Sequence, residues 1–159
     1  MKTHFLLFLA VLLFASCSKD NNSIDDDNYF NSTFTAKIDG VPFTADFALG
    51  VLIRENGTGD VQWIQVRGDK DGESSITLAV PPGTGTYTFV HIDDDETPVG
   101  IYTDAGMINF GYSIAGGSLH ISHYSATRIK GTFSFTTQPI HEQGSSVSIT
   151  EGVFDVEIP

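Results

Sequence analysis

From Asn31 onward the sequence sustains no helical period. Apolar residues alternate over short stretches, and glycine or proline interrupts the pattern again and again. Long helices are excluded, and a succession of short strands remains. Phe34, Ala36 and Ile38 alternate with Thr35 and Lys37. Asp39-Gly40 then supplies two residues that tolerate φ above zero, as a type I′ hairpin turn requires. Val41, Phe43 and Ala45 continue beyond the turn, with Pro42 marking an edge strand or a strand start. Further strands are predicted over Gln62 to Arg67, through Ile76, Leu78 and Val80, at Tyr87 and Phe89, over Met107 to Tyr112, at Leu119 and Ile121, and along Ile129 to Phe135. Val147 and Ile149, then Phe154, Val156 and Ile158, close the chain. Asp71-Gly72 reads as a turn and Pro81-Pro82-Gly83 as a break. About ten short strands at near-regular spacing predict a single all-β domain over residues 31–159, an antiparallel β-sandwich or barrel.

The first thirty residues follow other rules. Met1 to His4 is a short cationic start, and Phe5 to Phe14 is an unbroken apolar run. A permanent membrane helix needs about 20 such residues, so the run predicts a secretory signal instead. Phe14-Ala15-Ser16-Cys17 follows. It resembles the bacterial lipobox, usually a Leu, two small residues and a Cys, with Phe14 standing in place of the Leu. The resemblance implies a diacylglycerol thioether on Cys17 and cleavage between Ser16 and Cys17, making residues 1–16 the lipoprotein signal peptide. Ordinary signal peptidase cleavage after Ser18, through the small residues Ser16 and Ser18, is the alternative. Cys17 is the sole cysteine, so no internal disulfide and no thiolate metal cluster can form.

Residues 17–30 are predicted to be the lipidated Cys and an acidic, flexible tether. Ile24 is the only apolar residue between Ser18 and Asn28, too little to build a core, and Asp25, Asp26 and Asp27 repel one another. Lys19-Asp20 partly resembles the export signal of surface lipoproteins in the Bacteroidota. Twenty Asp and Glu against eight Lys and Arg give a formal charge of −12. Such a field repels phosphate backbones, and no basic stripe offsets it, so nucleic acid is not expected as a partner. Attachment to a bilayer must then come from the acyl chains on Cys17 rather than from charge.

The strand patterns carry a further resemblance. Phe34-Thr35-Ala36-Lys37-Ile38-Asp39-Gly40-Val41-Pro42-Phe43-Thr44-Ala45 looks like the opening hairpin of an uncharacterised lipoprotein domain family common in the Bacteroidota. Gly131-Thr132-Phe133-Ser134-Phe135 and Ile149-Thr150-Glu151-Gly152-Val153-Phe154 are similar to its closing strands. The resemblance implies no catalytic residue.

Several constellations bear on chemistry. His120 and His123 are three apart on a strand, which places them on opposite faces and makes them a poor chelating pair. His91 and His141 fall at a strand end and in a loop. Asp69-Lys70-Asp71-Gly72-Glu73 lacks the spacing of a calcium loop and reads as a hairpin turn. Asp93-Asp94-Asp95-Glu96 is the densest carboxylate run, a solvated loop by default, with calcium binding as the rival. Gly111-Tyr112-Ser113-Ile114-Ala115 echoes a nucleophile elbow but lacks the second glycine and the following helix. Trp63, Tyr87, Tyr102, Tyr112 and Tyr124 suit a stacking platform for sugars, though aromatics more often fill β cores. Arg128 and Lys130 share a strand face that reads as solvated.

These readings predict a cell-envelope lipoprotein, anchored in the outer membrane and open to surface display. Its β domain is expected to be a non-enzymatic binding or structural unit, whose partner beyond the bilayer is a protein or a glycan. The alternatives are a hydrolase using acidic-loop carboxylates and a calcium-dependent adhesin module. The residues assigned are Cys17 for lipidation and the Ser16–Cys17 bond for cleavage. No catalytic, cofactor-binding or metal residue and no cofactor is expected.

Overall fold

The computed structural model describes residues 31–159 apart from Asn56, Asp95 and Glu96. The expectations for Ser16, Cys17 and the tether fall outside the described residues. Eleven strands follow one another: β1 Thr33–Ile38, β2 Val41–Thr44, β3 Phe47–Arg54, β4 Val61–Lys70, β5 Ser74–Val80, β6 Gly85–Phe89, β7 Val99–Asp104, β8 Gly111–Ser113, β9 Gly116–Tyr124, β10 Arg128–Pro139 and β11 Ser148–Glu157. All the pairings are antiparallel. The expected all-β fold is realised as a curled sheet, a half-closed barrel.

The long strand β10 makes the curl. Its Ile129–Ser134 stretch pairs with β9, and its Thr137–Pro139 end pairs with β8. One strand therefore belongs to two layers. The first layer runs β2-β1-β11-β10-β9-β6, and the second runs from the end of β10 through β8-β7-β5-β4 to β3. At the far side the edge strand β3 reaches the end of β11, where a Cβ on Gly50 would lie 2.9 Å from the Ile158 side chain.

The inward faces meet in a core of phenylalanines and branched aliphatics. Phe34 and Phe133 have ring centroids 5.2 Å apart, and Phe89 and Phe135 4.9 Å. Glycines make room for these rings. Gly131 pairs with Phe154, and Phe133 with Gly152, so two Gly-x-Phe segments on neighbouring strands interlock reciprocally. A Cβ on Gly152 would stand 2.5 Å from the Phe133 ring, and one on Gly68 would stand 2.5 Å from the Phe34 ring across the layers. Close packing of this kind leaves no space for a methyl group.

The hairpin at Asp39-Gly40 is as predicted: φ is 49° at Asp39 and 83° at Gly40, and β2 with Pro42 lies at an edge. Three strand expectations need correction. β3 and β7 were not anticipated. Met107 to Tyr112 is not a strand over most of its length. The Asp104 carboxylate accepts from the Asn109 backbone N–H and from its side-chain amide at 2.9 Å, folding Ala105 to Phe110 into a turn, and pairing begins only at Gly111. The two closing segments are a single strand. A bulge at Glu151, with φ 50°, shifts the register against both β1 and β10. It moves the inward positions from the odd residue Ile149 to the even residues Gly152, Phe154 and Val156.

Candidate functional site

Side chains on a strand alternate, so each layer has an outer face set by the residues between its core positions. The two outer faces differ in chemistry. On the first layer one row runs Thr44, Thr35, Val153, Thr132, His120, Thr86 across six strands in register. Charges flank it. Arg128 Nε donates to Asp155 Oδ1 at 2.5 Å, Lys130 Nζ lies 2.8 Å from Asp155 Oδ2, and Lys37 Nζ lies 2.7 Å from Glu151 Oε1. Partial burial pushes the Asp155 carboxyl up, but the hydrogen bonds from Arg128 and Lys130 outweigh it and hold the group below its ordinary value. Arg128 and Lys130 do more than solvate their face: they clamp one carboxylate between them.

On the second layer the outward residues include Val51 on β3, Trp63 on β4, Ala79 on β5, and Val99 and Ile101 on β7. Ala79 pairs directly with Val99. Val99 is buried yet lies outside the core cluster. Among the described residues, Trp63, Ala79, Ile92, Val99 and Ile101 line a groove of about 730 Å³ together with the polar Gln62 and Thr97. None of these seven carries a charge. A register shift between Ile53 and Arg54 bulges β4 at Gln62, setting that amide beside the half-buried indole of Trp63.

The predicted candidates divide around this groove. Among the five aromatics, Tyr102 is buried in the core, and Tyr87 and Tyr124 pack against it. Trp63 lines the groove, and Tyr112 stands on the same outer face, its ring tilted by 59° against Phe110 at 5.4 Å. The five do not form one platform. The groove was missed in the sequence because its floor needs β7. The alternating Val99-Gly100-Ile101-Tyr102 was the available signal.

His120 and His123 share the outer face of the first layer. Ser122 is an extra residue between the Ile121 and His123 pairings, and it restores the parity that a spacing of three would break. The expectation that they diverge to opposite faces is overturned by that bulge. His120 Nδ1 sits 3.0 Å from Thr86 Oγ1. His91 Nδ1 lies 3.3 Å from Asp93 Oδ2, and His141 is exposed in a turn.

Asp71-Gly72 is the turn expected, with the Glu73 N–H bonded to the Lys70 carbonyl at 3.0 Å. Ser113 is buried and structural. Its hydroxyl donates to the Val90 carbonyl at 2.8 Å and accepts from the Gly100 N–H at 3.0 Å. Among the described residues no three His, Cys, Asp or Glu side chains converge to hold a metal ion, and the Asp94 side chain, Asp95 and Glu96 lie outside that set. Among the same residues no helix is long and apolar enough to cross a membrane.

A half-closed antiparallel barrel with an apolar groove on one outer face defines the class: a small all-β domain whose candidate site is a surface groove. Residues 30–159 match the family model DUF6252, a domain of unknown function, and the chain belongs to that family. No curated protein and no solved structure matches it.

Proposed function

We propose that this chain is a cell-envelope lipoprotein of the kind found in the Bacteroidota. Residues 1–16 act as signal peptide, acylated Cys17 anchors it in the outer membrane, and residues 17–30 form the tether. Residues 31–159 form a non-enzymatic binding domain whose ligand is an uncharged glycan held on the outer face of the second layer. The observation that carries the binding reading is the groove floored by Trp63, Ala79, Val99 and Ile101 on a face that has no core to fill. An indole face beside aliphatics takes the apolar side of a sugar ring. The Gln62 amide and the Thr97 hydroxyl supply donors and acceptors at the rim. A formal charge of −12 disfavours anionic ligands.

Trp63 is the only tryptophan in the chain, so its fluorescence reports the groove directly. Titration with a panel of neutral oligosaccharides should shift the emission saturably for at least one member, and Trp63→Ala should abolish its binding by calorimetry. An unchanged spectrum across the panel would remove the glycan reading. The anchor has its own test. The intact mass of the mature protein should carry acyl additions on Cys17, and Cys17→Ala should leave the detergent phase. A bare polypeptide starting at Lys19 would show ordinary secretion instead.

A further inference from the structure

Among the described residues, β2, β6 and β3 each pair on one side only. A sheet edge invites pairing with another chain unless something blunts it. β2 is four residues long and contains Pro42. β6 is five residues long and presents Thr86 and Thr88 to solvent. β3 has no such protection. Its eight residues include neither proline nor lysine, and Phe47 to Ile53 carry no charge. Ala48 and Gly50 are buried and Leu52 packs on the core, so Phe47, Leu49, Val51 and Ile53 face outward. Phe47 is 40% exposed and Val51 38%. A groove of about 430 Å³ lies beside this strand, lined by Phe47 and Leu49 and, opposite them, by Arg128 and Ile158. The two ends of β3 bear opposite charges. Asp46 precedes it and Arg54 closes it, both exposed. Asp46 Oδ2 accepts from the Asp71 N–H at 3.0 Å, and Arg54 Nη1 donates to the Gly59 carbonyl at 2.8 Å. Each keeps capacity for a further partner, because a carboxylate offers about four acceptor sites and a guanidinium five donors.

We propose that a second copy of this chain occupies the edge, the two β3 strands running antiparallel about a two-fold axis at Gly50. Directly opposed residues of antiparallel strands point to the same side of the sheet, so outward residues must meet outward residues. Centred on Gly50, the register sets Phe47 against Ile53 of the second copy and Leu49 against its Val51, each contact made twice. It also brings Asp46 next to Arg54 of the second copy, at both ends. Recentring on Val51 would set Phe47 against Glu55, and recentring on Leu49 would set Asp46 against Leu52, so both lose the charge pairing. Two chains of formal charge −12 repel each other, and the complementary ends offset that repulsion locally. The second layers then run on as one sheet, with both Trp63 grooves on the same outer face. This inference stands independently of the glycan reading.

Sedimentation equilibrium of the full chain, in mild detergent held in excess, should show a dimer that dissociates on dilution. Val51→Lys introduces the kind of charge that blunts natural edges, and should leave a monomer that still unfolds cooperatively. Asp46→Arg and Arg54→Asp each place like charges together twice, and each should weaken the dimer roughly tenfold or more. An equimolar mixture of those two variants should recover the parent affinity, since every end contact is then between opposite charges. Asp46 and Arg54 of one copy stand about 26 Å apart along the strand, so the recovery cannot arise within a copy. A parent protein that stays monomeric, or a dimer that Val51→Lys leaves intact, would overturn the proposal. So would a mixture that associates no more tightly than its components. Slow amide exchange along Phe47 to Ile53 in a monomeric parent would do the same, by showing the edge filled from another source.

Discussion

The two outer faces obey one backbone rule, and only the second carries a contiguous apolar patch. On the first layer the residues between core positions are Thr35, Thr132, His120 and Thr86, with Lys130 and Arg128 clamping Asp155. On the second layer Trp63, Ala79, Val99 and Ile101 form an apolar patch at one end, while Gln65 and the Arg67–Asp69 ion pair keep the rest of that face polar. Folding requires only the inward set to be apolar, and both layers meet that requirement against the same phenylalanine cluster. A polar outer face is what stability alone leaves behind. An apolar one is surplus to the core, and contiguous surplus of that kind marks an interaction surface. Val99 illustrates the point: it is buried yet stands outside the core cluster.

The comparison assumes one core beneath two faces, and the strongest test strikes that core. Phe133→Ala should cost about 3–5 kcal/mol, the usual range for deleting a buried phenylalanine. Unfolding in urea followed by Trp63 fluorescence and by far-ultraviolet circular dichroism should remain a single coincident transition. Two separated midpoints would break the comparison by making the layers independent units. Gly68→Val presses on the same core from the second layer. With the Phe34 ring 2.5 Å from its new Cβ, it should cost about 1–3 kcal/mol or more by overpacking.

Trp63→Ala and Thr132→Ala form the matched pair for the faces. Both should change stability by no more than about 1 kcal/mol, the common result for residues outside the core. Only the former should abolish ligand binding. Equal loss of binding in both variants would remove the distinction between the faces.

A smaller effect belongs to the polar face alone. The Asp155 carboxyl lies below its ordinary 3.8 in the folded protein. The stability it contributes is therefore complete above that value and drains away as pH falls through the lower folded value. Asp155→Asn should flatten the acid limb of a melting curve taken from pH 5 downward. At neutral pH it should cost about 0.5–1 kcal/mol, as partly exposed ion pairs do. An unchanged acid limb would show that the Arg128–Asp155–Lys130 clamp contributes nothing. The smallest effect is expected at His120→Gln, whose contact with Thr86 is exposed and whose loss should stay within about 0.5 kcal/mol by thermal melting.

Much of the strand pattern was legible because period-two alternation is local. Phe34-Ala36-Ile38, Ile76-Leu78-Val80 and Ile129-Gly131-Phe133-Phe135 each read directly as one inward face. The failures have a common cause. β3, Phe-Ala-Leu-Gly-Val-Leu-Ile-Arg, is apolar on both faces in its sequence, so alternation is invisible there. β7 alternates around Gly100, whose missing side chain is where Phe135 packs, so the contact that explains the glycine comes from a distant strand. The bulges at Gln62, Ser122 and Glu151 each invert parity, and a reading that assumes unbroken alternation cannot place residues beyond them.

Residues 31–159 by themselves determined that the chain is antiparallel β, that Asp39-Gly40 turns a hairpin and that the inward rows are aromatic and aliphatic. Those properties follow from φ preferences and from alternation over a few residues. The tertiary structure alone decided that β10 joins two layers and that Gly152 lies under Phe133. It also decided that His120 and His123 share a face, and that Trp63 meets Val99 and Ile101 in a groove. Each of these depends on register between segments far apart in the chain. A single extra residue in one strand resets that register, and the pairing energies that select it are not carried by any one segment.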